Sequence, residues 1–137
     1  MRAHLLTIVG YVFSTLLVQG TSHFAVNAAH YAEVAHNRVE PIFALGISSM
    51  VIQGAILSWI YANMRTRDGS LLSALSVAWL LGGFLVSYMA LAEAGKYTVP
   101  DIASWIAVET LVAAVQFTLI GGFLWLAHRW SPRLQAA

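Results

Sequence analysis

Residues 102–127 read IASWIAVETLVAAVQFTLIGGFLWLA, a run of 26 residues with one charged side chain, Glu109, and one carboxamide, Gln116. A helix of that length rises ~1.5 Å per residue and reaches ~39 Å, whereas crossing a bilayer takes roughly 20 apolar residues. Three more runs of this kind precede it: Leu5–Val26, Ile42–Met64 and Leu71–Ala92. Pro41, Pro100 and Pro132 fall at or beyond the ends of the runs, where a missing N–H and a fixed φ disturb a helix least. Lipid therefore solvates most of the chain, and each polar group inside a run needs a reason.

Composition agrees. Of 137 residues, 59% are hydrophobic and 9% charged, with a mean hydropathy of +0.73, outside the range of ordinary soluble domains. Four spans and their connectors use nearly the whole sequence, so the expected fold is all-α. It is a single transmembrane domain, 1–137, with spans at about 5–30, 42–64, 71–92 and 102–127 forming an antiparallel up-and-down four-helix bundle. The net charge of +1 and the absence of a basic stripe give no case for nucleic acid. With no cysteine, disulfides, thiolate metal sites and cysteine nucleophiles are excluded.

Arg2, Arg65, Arg67, Arg129 and Arg133 flank one side of the spans, against Arg38 and Lys96 on the other. By the positive-inside rule both termini and the 65–70 connector face the cytoplasm. A rival reading takes residues 1–28 as a signal peptide, with Arg2, the apolar Leu5–Gln19 stretch and Val26-Asn27-Ala28 as cleavage site. That would leave three spans and remove His23. Against it, the apolar stretch is long, and Gln19, His23 and Asn27 continue with helical spacing beyond it.

Local signals set the helix ends. Asp-Gly within residues 65–70 marks a tight turn, with Asp68 or Ser70 capping the third helix. Glu40-Pro41 and Pro100-Asp101 mark the starts of the second and fourth, where Asp101 serves as cap. Ala74, Ala78 and Gly82 form one stripe of small residues, and Gly54, Ser58 and Ala62 another; in lipid, such stripes allow close helix packing. Gly46, Gly83, Gly121 and Gly122 are further thin places. Trp79, Trp105, Trp125, Trp130, Tyr61 and Tyr97 include several near the ends of spans, as an aromatic belt requires, and His4 and His128 are expected at the interface.

The remaining polar residues converge. His23, Asn27 and His30 share one face of a continuous first helix; Glu109 and Gln116, seven apart, share a face of the fourth. Gln53 lies mid-span in the second helix one turn after Ser49, and Glu93 and Lys96 close the third. Antiparallel neighbours place His23, His30, Glu93 and Glu109 in the outer half of the bundle, with Gln19, Gln53 and Gln116 deeper. Glu109 faces the bundle, because a carboxylate at that depth is costly against lipid. Three roles fit the cluster: interhelical packing, metal binding, and a proton or ligand path centred on Glu109. His23 and His30 lie ~11 Å apart along a helix axis, too far for one ion. No metal centre is assigned and no cofactor is named.

Glu40–Leu57 reads EPIFALGISSMVIQGAIL. It resembles a group of small bacterial membrane proteins whose second helix carries a Glu-Pro-Ile, Leu-Gly, Ser-Met, Ile-Gln-Gly pattern. His23, Lys96-Tyr97, Glu109 and Gln116-Phe117 match that group's other motifs. The resemblance implies a four-helix membrane fold, assigns no activity, and directs attention to Arg38, Glu40, Gln53 and Glu109. The expected function is that of a small non-enzymatic protein of a bacterial inner membrane, a homo-oligomer or accessory subunit of a membrane complex. The polar cluster packs the bundle or binds a small ligand or ion. The alternative is a membrane-embedded enzyme or a small proton- or metal-coupled transporter using Glu109 and His23.

Overall fold

The computed structural model describes residues 1–34, 40–64, 69–99 and 101–129, all of them in helices or their connections, with no strand among them. Helix α1 (Arg2–Thr21) runs into a π-helical stretch, Ser22–Val26, and a short helix α2 (Ala28–Ala32) comes after Asn27. Then come α3 (Phe43–Asn63), α4 (Leu71–Val86) with a second π-helical stretch at Ser87–Ala92, and α5 (Ile102–His128). Four segments, Arg2–Val26, Phe43–Asn63, Leu71–Ala92 and Ile102–His128, are long and apolar enough to cross a membrane. Their outward faces carry Phe13, Leu45, Leu80, Phe84 and Leu111, all exposed. An exterior this apolar suits lipid, as in a multi-pass membrane protein.

The expected caps form. Ser70 Oγ accepts the Ser73 N–H at 3.1 Å and Asp101 Oδ1 accepts the Ser104 N–H at 2.6 Å, each satisfying a donor left over in a first helical turn. Gly69 takes φ 78°, a value that glycine adopts without steric cost. Helix α3 begins at Phe43 behind Ile42, so Pro41 precedes the helix rather than opening its first turn. The expectations for Asp68, Pro100, Trp130 and Pro132 lie outside the described residues.

Helix α1 packs along both α3 and α5, and α5 packs along α4, whereas α3 and α4 touch at few points. The order around the bundle is thus α3, α1, α5, α4, with the sides not closed between α3 and α4. Small residues make the tight seams. A Cβ on Gly54 would lie 3.0 Å from Tyr11 Cβ and 3.1 Å from Ile8 Cα. A Cβ on Gly82 would enter the Phe117 ring, and one on Gly121 would lie 3.0 Å from Leu75 Cα. Gly46, Gly83 and Gly122 have no such neighbour within 4 Å, so they are not contact points as expected. Tyr11, Leu57, Tyr61, Ala78, Phe117 and Ile120 belong to the main buried core, and Tyr31, Val34, Val99 and Trp105 to a second. Trp105 and Tyr61 are therefore core residues, not belt residues.

Candidate functional site

The polar residues of the spans gather around a cavity of about 290 Å³ that all four long helices line. Thr15 and Gln19 come from α1, Ser49 and Gln53 from α3, Glu109 and Gln116 from α5; α4 and its π-helical extension add Leu85, Val86 and Met89. Hydrogen bonds join these groups in two short relays. Gln19 Nε2 donates to Gln116 Oε1 at 2.7 Å, and Gln116 Nε2 to Thr15 Oγ1 at 3.0 Å. Across the cavity, Tyr11 donates to Gln53 Oε1 at 2.6 Å and Gln53 Nε2 to Ser49 Oγ at 3.0 Å. Interhelical bonds of this kind contribute about 1 kcal/mol each in lipid. The relay ends unfinished, because Gln19 Oε1 is buried without a partner.

A second, apolar cavity of about 150 Å³ adjoins the first. The two share Tyr11, Gln53, Leu85 and Phe117. Its other walls include Ile56 and Phe84, which are 50% and 75% exposed on the outside of the bundle. The second cavity thus lies at the weak α3–α4 contact, between exposed apolar side chains and the first cavity.

Glu109 is 3% exposed, and its Oε1 accepts the Tyr31 hydroxyl at 2.8 Å. Helix α2 places that phenol. The π-helical stretch closes with the Asn27 N–H on the Ser22 carbonyl at 2.8 Å, and Asn27, at φ −114° and ψ 22°, interrupts the helix before α2 begins. The wider π-helical turn, five residues per hydrogen-bonded loop rather than four, rotates the residues beyond it. His23, Asn27 and His30 accordingly do not share one face of a continuous helix. Asn27 Nδ2 donates to Ser22 Oγ at 2.9 Å, and His30 stacks on Trp105 with centroids 5.7 Å apart. Burial pushes the Tyr31 phenol above its ordinary pKa, so it remains a donor to Glu109 at physiological pH.

Tyr31 also separates two groups expected to act together. The His23 ring stacks on Tyr31 at 3.6 Å between centroids and 11° between planes, while the Tyr31 hydroxyl engages Glu109. His23 Nδ1 lies 3.0 Å from the Gln19 carbonyl oxygen. A carbonyl only accepts, so Nδ1 carries the proton and a neutral ring leaves Nε2 as the acceptor. His23 does not line the cavity. Glu93 sits in the turn after the second π-helical stretch, its carbonyl accepting the Lys96 and Tyr97 N–H groups, likewise outside the cavity lining. Among the described residues no three His, Asp or Glu side chains are grouped as metal ligands.

A separate polar knot lies where α1 begins and α5 ends. Ser58 Oγ is 2.9 Å from His4 Nδ1 and 2.9 Å from His128 Nε2. Ser58 is fully buried and His128 is 4% exposed, with the Tyr61 ring edge-on to His128 at 5.3 Å. His128 is thus interior, not interfacial as its place at the end of a run suggests. No sequence signal pairs it with Ser58; the Gly54-Ser58-Ala62 stripe shows only that this face of α3 comes close to a neighbour.

Of the seven residues singled out from sequence, Gln53, Glu109 and Gln116 line one cavity, and His23, Asn27 and His30 lie beside it around Tyr31. Glu93 stands apart. Tyr11, Thr15 and Tyr31 are the additions. No protein-family model, curated protein or solved structure matches the chain.

Proposed function

We propose that this is a non-enzymatic multi-pass protein of a bacterial inner membrane that binds a small ligand in the cavity between its four spans. It acts as a homo-oligomer or as an accessory subunit of a membrane complex. The carrying observation is the 290 Å³ cavity lined from all four long helices, with Gln53, Glu109 and Gln116 set in a mostly apolar wall, near the roughly 300 Å³ at which small-molecule sites begin. A bundle built only to pack would close that space.

In this reading the spans alternate in direction and both chain ends face the cytoplasm. Pairings support the alternation: Tyr11 meets Gln53 while the earlier His4 meets the later Ser58, and Gln19 meets Gln116 while His4 contacts His128. The five-to-two split of basic residues supports the orientation. An enzyme using Glu109 with His23 as its partner has less support, since Tyr31 intervenes between them.

The absence of cysteine makes the test direct. Thr15 lines the cavity and is 7% exposed, whereas its neighbour Leu16 does not line it and is 44% exposed. In native membranes, Thr15→Cys should react with N-ethylmaleimide several-fold faster than Leu16→Cys, because a thiol ionises where polar groups or water reach it. Equal, slow labelling of both would remove the ligand-cavity reading.

A further inference from the structure

The chemistry of the cavity narrows what it accepts. Glu109 is the one charged side chain among the described lining residues; no Lys, Arg or His lines the space. Its bonded partner, the Tyr31 hydroxyl, is a neutral donor. Glu109 is 3% exposed, and a carboxylate buried this far is compensated by a cation beside it. The other lining groups favour a cation. Gln19 Oε1 is an acceptor without a donor, Tyr11 and Phe117 bring aromatic surface, which attracts cations over the ring face, and Met50 and Met89 bring polarizable sulfur. The adjoining cavity argues for an organic cation over a hydrated ion, since Ile56, Phe84 and Leu81 line it with apolar surface.

We infer that the cavity takes a small organic monocation of the quaternary or protonated amine class, with Glu109 as its counter-ion. This rests on the cavity being a binding site. The groups facing Glu109 are Tyr31 from α2, Tyr11 from α1, Gln53 from α3 and Gln116 from its own helix, with His23 behind Tyr31. Helix α4 adds no titratable group to the lining. None of these supplies a positive charge within the cavity to compete with the ligand.

The probe is benzyltrimethylammonium, whose charge does not titrate, compared with neopentylbenzene, its uncharged carbon isostere. Calorimetry on the intact protein in lipid nanodiscs gives affinity and stoichiometry. We expect the cation to bind one per chain and more tightly than its isostere. Glu109→Gln should weaken it ~30-fold or more. Met50→Trp, which adds bulk at a lining position on a helix other than that of Glu109, should weaken binding with Glu109 untouched. Equal binding of cation and isostere, unchanged cation binding in Glu109→Gln, or no cation binding by the parent would each overturn the inference. The maleimide comparison at Thr15 and Leu16 judges the cavity reading independently of these results.

Discussion

The Tyr31 hydroxyl donates to Glu109 across 2.8 Å, tying the five-residue helix after the first span to the middle of the fourth. Two sequence elements 78 positions apart thereby hold each other, and the bond shields the carboxylate at the head of the cavity. Removing the donor leaves an acceptor buried, and an unmet buried group costs more than a bond contributes.

Tyr31→Phe should therefore destabilise the protein by about 1–2 kcal/mol, read as a fall in melting temperature in detergent. In a double-mutant cycle, Tyr31→Phe and Glu109→Gln should couple, because the two side chains touch. His23→Ala and Glu109→Gln should couple more weakly, since Tyr31 lies between them. Stronger coupling for the His23 pair would assign the contact to the wrong residue.

Neighbouring glycines on α4 should behave oppositely. Gly82→Ala drives a methyl group into the Phe117 ring and should cost about 1–3 kcal/mol by overpacking. Gly83→Ala meets nothing within 4 Å and should be neutral or gain up to about 1 kcal/mol from helix propensity. Thermal melts of the two variants side by side decide this.

Ser58→Ala would leave His4 Nδ1 and His128 Nε2 without the hydroxyl they share. A loss of about 1–3 kcal/mol is expected, whereas Ser48→Ala, at an exposed position where the hydroxyl bonds only its own helix at Ala44, should change stability by less than about 0.5 kcal/mol. Imidazole NMR shifts should change for both histidines in Ser58→Ala and for neither in Ser48→Ala.

At the start of α5, Asp101→Ala removes the acceptor for the Ser104 N–H. A cost of about 1 kcal/mol is expected, with faster amide exchange confined to the first turn. Asp101→Ser should recover most of it.

What the sequence alone determined is local. The four spans arise from uninterrupted apolar length, and Ser70 and Asp101 cap their helices because capping depends on a residue and the three after it. The Ala74-Ala78-Gly82 and Gly54-Ser58-Ala62 stripes were legible as contact faces because only small side chains permit such approach. Which faces meet was decided by the tertiary structure. In water, an apolar stripe marks the inside of a helix; in lipid both sides are apolar, so the pattern along α3 or α5 does not reveal its orientation. That is why Gln53, Glu109 and Gln116 could be collected by depth but not assembled into a cavity, and why Trp105 and Tyr61 were expected at the membrane surface. The open seam between α3 and α4, the burial of His128 on Ser58, and the return of Tyr31 onto Glu109 all depend on pairings between distant segments. The last also depends on a π-helical turn, a change of one residue in hydrogen-bond register that composition does not announce and that redirects every side chain after it.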